Sequence, residues 1–497
     1  MNLASIIDRH PDDKVALVSH GTSITYRELE EHVGAIRGGL SAMGLEPGDR
    51  IAIVCANNRY FVETFLAALG AGLVVVPLNP LSPALELVRE IDTVGARAVL
   101  VGPTAGRVVA GIEPSQIPTV DHLLAARPDD VAGATAFSAL VAHDPAPVIE
   151  REPDDLAVLI FTSGTAGAPR AAMLTHGNLM ANIDQMQAVE SIARRADDVT
   201  YDILPLFHIF GLNVVLTPAL SVGATVVLVE RFDPTTAVES IADHGATAIT
   251  GPPTMWAAFA HTPDLPGDAF ATVRLAVSGA SKLSVEVAER MLDRFGLRVH
   301  EGYGLTEASP VVAYSVGTGA PLGSIGRPLP GVEMRLVDAD GDDTLVGDAG
   351  EIWVRGPNVF RGYWKDPEAT ASVLDADGWL HTGDLAVIDD DGYLFIVDRA
   401  KDLIIVSGFN VYPAEVEEAL VEHPGVAEAA VVGVDHPHTG EAVKAYVVLE
   451  PGAECEEDDI IAFLGDRLAR YKCPSKIRFV DEIPRGLGGK ILRRTLA

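Results

Sequence analysis

A chain of 497 residues with a formal net charge of −33 and 48% apolar side chains is too long for one hydrophobic core and apolar enough to fill two or more. Its acidity excludes a general nucleic-acid or anionic-membrane binder, because phosphate backbones and acidic headgroups would be repelled. Cys55, Cys455 and Cys473 stand far apart with no CxxC pair, which suggests neither a disulfide framework nor a zinc site.

The opening segment, MNLASIIDRHPDDK, places Asp8 and Arg9 where a secretory signal would keep an apolar centre. The longest apolar stretch, residues 65–78, covers 14 residues and includes Gly70, Gly72 and Pro77, short of the roughly 20 that span a bilayer. It predicts a buried helix running into a strand, in a cytoplasmic protein with no transmembrane segment. The runs RIAIVCA, LVVVPL, ATVVLVE and ATAIT alternate with helix-like stretches and predict layered α/β subdomains with buried parallel strands. A polar, proline-containing segment, PAPVIEREPDD at 145–155, reads as a connection between subdomains.

The next stretch, AVLIFTSGTAGAPRAAMLTH at 157–176, is an apolar strand that breaks into hydroxyls and glycines. Such a loop suits a phosphate. Gly164 and Gly167 let backbone N–H groups approach an anion, the hydroxyls of Thr162, Ser163 and Thr165 add donors, and Arg170 adds charge. It lacks the Gly-Lys-Ser/Thr ending of a Walker A loop. Further on, VHEGYGLTEAS at 299–309 sets Tyr303 among small residues, where a ring can lie against a flat base. Thr306 and Glu307 there offer the hard oxygens that magnesium prefers. Glycine and acid punctuate 338–350, and the short strands GEIWVRG and DGYLFIV follow, as in a small β-rich subdomain.

In HTGDL at 381–385 the carboxylate of Asp384 can accept both hydroxyls of a ribose, and Arg399 in VDRAKD can donate to the same sugar. After that point the pattern becomes helix (PAEVEEALVEHP), strand, strand, helix (EDDIIAFLGDRLARY) and a final strand near KIRFVDEIP. This is a self-sufficient α+β unit, with a hinge expected near 398–402. Residues 467–497 hold nine Arg or Lys against Asp481 and Glu482, a net +7. That is either a solvated face or a surface for a phosphorylated small molecule. Within it, the glycines of RGLGGKILRR (485–494) make a mobile approach for the compact ammonium of Lys490.

Taken together, TSGTAGAPR, PLFHIFG (205–211), GYGLTE, GEIWVRGPNVFRGYW (350–364), HTGD, DRAKDLIIVSGFNVYPAEVE (398–417) and GGKILRR occur in the order of the adenylate-forming acyl-CoA synthetase family. TSITYRELE at 22–30 also resembles its N-terminal region, so the resemblance covers essentially the whole chain. It implies a large N-terminal AMP-binding domain, 1–398, and a small mobile C-terminal domain, 399–497, hinged near Lys401. It also implies ATP, Mg2+ and coenzyme A as reaction partners of a carboxylic acid, in two steps. The acid first becomes an acyl-adenylate with release of pyrophosphate; coenzyme A then displaces AMP.

By the same resemblance, Lys490 bridges carboxylate and α-phosphate, Glu307 holds magnesium, and the loop from Thr162 to Arg170 holds the β- and γ-phosphates. Adenine sits near Gly279, Ala280, Gly302, Tyr303 and Gly304. In the second step the C-terminal domain turns about Lys401 and brings Ser407, Gly408 and Phe409 toward the thiol. His208 matches a position between the phosphate loop and the acyl tunnel, where it gates carboxylate entry or serves structure alone. Phe207, Phe210, Trp256 and Val311 are candidate apolar lining, which favours a fatty or other hydrophobic acid. Two departures stand out: Arg170 and Ala171 replace the usual Lys-Gly, and Ala166 replaces the second Thr of a Thr-Thr pair. Phosphate binding should survive with altered tuning, since arginine keeps the charge. The alternative reading is an acyl-AMP ligase or stand-alone adenylation enzyme loading a carrier protein. A catalytically silent nucleotide binder is a third, which intact Glu307, Asp384, Arg399 and Lys490 oppose. A homodimer stays open.

Overall fold

The computed structural model describes residues 1–162, 170–399, 402–406, 409–436, 440–453, 455–465, 467–468, 470–486 and 490–496; the side chains at 398, 399, 405, 409, 410, 440 and 494 lie outside that description. Ser163, Gly164, Thr165, Gly167, Lys401, Ser407 and Gly408 therefore lie outside the described residues, and of Arg399 and Phe409 only the backbone is described.

Two large sheets form the N-terminal part. One has the strand order Thr135–Ala136, His122–Ala125, Ala98–Val101, Arg50–Val54, Val74–Leu78, Leu156–Thr162, Arg170–Thr175. Its central strands are apolar on both faces because helices cover both, so RIAIV and VVVPL read as continuous hydrophobic runs. Pro77 is accommodated inside this sheet because Leu156–Thr162 registers with its strand only at Val75↔Val158, so the proline interrupts no ladder bond on that side. The other sheet runs from Arg327–Pro328 through Val311–Tyr314, His300–Gly304, Leu275–Ser278, Ala248–Gly251, Val199–Asp202 and Thr225–Leu228 to Val15–Ser19 and Thr22–Thr25. The predicted helix and strand within 65–78 are Arg59–Gly70 and Val74–Leu78. TSITYRELE carries a capping box in which Thr25 and Glu28 satisfy each other's backbone N–H groups and start the helix Tyr26–Ala42.

The β-rich unit is a four-stranded antiparallel sheet, Glu333–Val337, Gly350–Arg355, Leu380–Ile388 and Leu394–Arg399. Beyond it, Ile404–Val406, Phe409–Val411, Val426–His436 and Gly440–Leu449 form a separate sheet with Lys476–Phe479 parallel to the last. This sheet packs on the helices Pro413–Val421 and Glu457–Gly465 around Val416, Leu420, Val431, Ala445, Ile460 and Leu464. The architecture is thus the expected α/β layers, β-rich unit and α+β C-terminal lobe. One expectation is corrected: the helix predicted to run to Tyr471 ends at Gly465, where glycine's low helix propensity favours a stop.

Much of the basic C-terminal stretch is neutralised inside its own lobe. Arg467 pairs with Glu422, Lys472 with Glu415, Arg485 with Glu428, and Arg493 with Glu417 and Asp402. The three cysteines are free.

Candidate active site

The strands Leu156–Thr162 and Arg170–Thr175 are antiparallel with Thr162 opposite Arg170, so the hydroxyl- and glycine-rich segment is the connection of a hairpin. Arg170 is held at that edge. Its Nε donates to Asp366 Oδ2 at 3.2 Å, and its guanidinium lies 5.7 Å from the centre of the Tyr363 ring. Tyr363 in turn donates its hydroxyl to Glu307 Oε1 at 2.7 Å. The segment 361–364 docks on the hairpin through backbone bonds from Met173 to Gly362 and from Trp364 to Ala171. The loop's flank and the GYGLTE motif are thereby tied together by Tyr363 and Asp366, neither of which stands out from residue type or spacing.

The GYGLTE backbone is the strand His300–Gly304, parallel to Leu275–Ser278 and antiparallel to Val311–Tyr314. Only glycine fits at 304, because a Cβ there would stand 2.1 Å from the Pro310 carbonyl oxygen. At Gly279 a Cβ would meet the tip of the Phe210 ring at 2.7 Å, so the turn leading to Ala280 packs directly against that ring. Tyr303 donates its hydroxyl to Asp384 Oδ2 at 2.8 Å. Asp384 is buried and faces Arg399 in strand register. Gly383 N–H donates to Glu351 at 2.8 Å, and His381 stacks on Trp353 at 3.7 Å between ring centres.

These pieces surround one cavity of about 600 Å³. Thr162, Arg170, His208, Gly279, Ala280, Gly302, Tyr303, Gly304, Thr306 and Glu307 all line it, and so does Lys490 from the C-terminal lobe. Asp384 is behind the wall, reached through Tyr303. Phe207, Phe210 and Val311 line the cavity as expected, but Trp256 does not. Trp256 is fully buried among Phe259, Ile249 and Met291 and donates Nε1–H to the Val277 carbonyl at 3.3 Å, behind the wall that Val277 presents. A large aromatic in an apolar segment fits core and pocket alike, and tertiary packing decides between them.

His208 accepts the Phe210 backbone N–H at Nδ1, 3.1 Å away, so the neutral ring carries its proton on Nε2. Burial, assisted by the Lys490 ammonium, pushes its pKa down to about 4. The imidazole is therefore neutral above about pH 4 and takes up its proton only as pH falls through that value. The pH profile of kcat/KM between 5 and 8 is expected to contain no limb from His208. An inflection near 6.5 that disappears in His208→Gln would contradict this assignment.

Sequence reading overlooked two further lining groups. Glu301 is buried, accepts the Leu283 N–H at 3.0 Å, and burial raises its carboxyl to about 7. Arg194, from the polar run ARRADD, is 7% exposed and lines the cavity. Nothing in a polar six-residue run signals burial.

The family described as AMP-binding enzyme matches residues 3–364, and its C-terminal domain, AMP-binding enzyme C-terminal domain, matches residues 415–490. The chain belongs to this adenylate-forming family. A feruloyl-CoA synthase from an Amycolatopsis species is 38% identical over 475 residues, covering 95% of this chain and 93% of that protein. A long-chain-fatty-acid–CoA ligase from Escherichia coli O157:H7 is 36% identical, covering 97% and 91%. Among solved structures, ATP-bound MatB from Rhodopseudomonas palustris superposes with a TM-score of 0.92 at 35% identity, covering 100% of this chain and 98% of that one. The protein is an acyl-CoA ligase of a family whose enzymes use ATP and coenzyme A. Among the described residues no helix is long and apolar enough to cross a membrane.

Proposed function

We propose that this ligase activates a fatty or other hydrophobic carboxylic acid within the cavity described above. The acid's carboxylate oxygen attacks the α-phosphorus of ATP; the bond from that phosphorus to the bridging oxygen of pyrophosphate breaks, giving acyl-AMP. The thiolate of coenzyme A then attacks the acyl carbon and AMP departs. In-line phosphoryl and adenylyl transfers ask the protein for positioning and charge neutralisation. The observation that carries the reading is that Lys490 lines the same cavity as Thr162, Arg170, Thr306 and Glu307. An ammonium at that point would offset charge on both the carboxylate and the α-phosphate. Arg170 and the segment 163–169 would hold the outer phosphates, and the turn at Gly279–Ala280 with Tyr303 would take the adenine. Asp384 with Arg399 would take the ribose. His208, neutral, would offer an N–H to the incoming carboxylate. The apolar wall of Phe207, Phe210, Val214 and Val311 supports a hydrophobic acyl group.

Magnesium fits the site as a shared ligand. Glu307 commits one carboxylate oxygen to Tyr363, and no group of three or more His, Cys, Asp or Glu among the described residues forms a protein-only cage. One carboxylate completed by substrate phosphates is a common magnesium arrangement. When bound, the ion supplies charge neutralisation on the outer phosphates. For the second step, the C-terminal lobe beyond 398 would turn about Lys401, withdrawing Lys490 and presenting Ser407, Gly408 and Phe409 to the thiol, because one closed state cannot present both surfaces.

The test is acid-dependent exchange of labelled pyrophosphate into ATP, followed by coenzyme A-dependent release of AMP. Both are expected with at least one hydrophobic acid. Absence of both across a broad acid panel, or preference for a phosphopantetheinylated carrier protein over free coenzyme A, would overturn the proposal.

A further inference from the structure

The wall of the cavity contains a cation that the two-step chemistry does not use. Arg194 lies between the helix His176–Gln187 and the strand Val199–Asp202, and its backbone is clamped by Gln187, whose Oε1 accepts the Arg194 N–H at 2.7 Å and whose Nε2 donates to the Arg194 carbonyl at 3.2 Å. Arg194 Nη2 donates at long range to the Val214 carbonyl, 3.3 Å, and to Thr250 Oγ1, 3.4 Å. Nη1 is buried with no hydrogen-bond partner among the described residues.

Among the described residues no carboxylate hydrogen-bonds this group, although Asp198 and Asp202 stabilise its charge through space. Asp198 is taken by Arg274, with Nε at 2.8 Å from Oδ1 and the Nη2 contact to Oδ2, and also accepts from Thr247 and the Arg195 N–H. Asp202 is fully buried and makes no hydrogen bond to Arg194; burial holds its carboxyl well above the usual range, partly offset by the Arg194 charge. Burial lowers the guanidinium to about 10, so it keeps its charge at neutral pH. A second polar atom in the same cavity wall, Ser278 Oγ, is likewise buried without a partner. Leaving a buried donor unmatched costs free energy, more so for a charged one. A purely aliphatic chain beside Arg194 would leave its Nη1 donor unmatched.

We propose that the acid this enzyme prefers carries an oxygen acceptor at the end remote from its reacting carboxyl, received by the guanidinium of Arg194, a residue of the cavity wall. This rests on the ligase reading above and narrows its substrate class from hydrophobic acids in general to those with an apolar middle and an oxygenated tip. A second carboxylate and a ring hydroxyl share that chemistry, and matched pairs of acids distinguish them.

The experiment measures kcat/KM for adenylation by wild-type enzyme and Arg194→Met with hexanoate against hexanedioate and with cinnamate against 4-hydroxycinnamate. Wild type is expected to favour the oxygenated member of at least one pair by about tenfold or more, the size set by a hydrogen bond to a charged group. The pair that shows the preference identifies the oxygen. In Arg194→Met the ratio should fall to one or below, while the unsubstituted acid is used as well or better; a merely structural role would lower both members together and leave the ratio unmoved. Equal use of both members of each pair by wild type overturns the inference, and that outcome is readable even if Arg194→Met does not fold. An unchanged ratio in the folded variant overturns it as well. A panel in which the unsubstituted acids react well leaves the ligase reading intact while rejecting this one; a panel in which no acid supports exchange rejects both.

Discussion

Lys490→Ala is expected to lower acyl-adenylate formation by about 10²–10³-fold, the loss typical of removing one group aimed at developing charge, and to spare thioester formation from supplied acyl-adenylate and coenzyme A. The reason is positional. Lys490 is exposed on the C-terminal lobe yet lines the cavity beside the residues that flank the phosphate loop, close enough for its ammonium to oppose protonation of His208. A compact ammonium at that point contributes to the step in which negative charge crowds around the α-phosphorus and has no role once AMP is the leaving group. The lobe's own core, built around Val416, Leu420, Val431 and Ile460, does not include it, so truncation should not unfold the lobe. Separate assays of pyrophosphate exchange and of thioester formation check this. Equal loss in both would end the division of labour proposed above.

Trp256→Ala is expected to destabilise the N-terminal part by about 3–5 kcal/mol, the range for truncating a large buried aromatic. Trp256 is 0% exposed, and its neighbour Phe259, 6.2 Å away between ring centres, packs edge-on against Phe232 and Phe270. Truncation removes an anchor of this aromatic cluster and leaves the Val277 carbonyl without its indole donor. Urea unfolding measures the loss. If Trp256 lined the acyl space instead, the same change would cost little stability and would shift the ranking of acids; that result would restore the expectation the structure corrects.

The motifs were legible because each is a short run whose residue types are demanded locally. Gly304 must be glycine where the Pro310 carbonyl approaches, and an apolar strand breaking into hydroxyls and glycines is visible from the chain alone. Arg194 was not legible, because its burial comes from Thr250 and Val214 closing over it, residues 56 and 20 positions away. The Tyr363–Glu307 bond spans 56 positions and the Arg170–Asp366 pair 196. Residue type and spacing carry no information about which distant segments meet.

Composition, the period of the apolar runs and the ordered motifs determined the α/β layering, the separate C-terminal lobe and the family's chemistry, since each depends on neighbours along the chain. Tertiary structure alone decided which side chains share the cavity: that Lys490 from the final basic stretch lies against the GYGLTE wall, that Trp256 is core, and that an unmatched guanidinium lies within the wall. Burial is a property of packing between segments remote in sequence, and it sets whether the same arginine is a solvated surface charge or a donor seeking an acceptor.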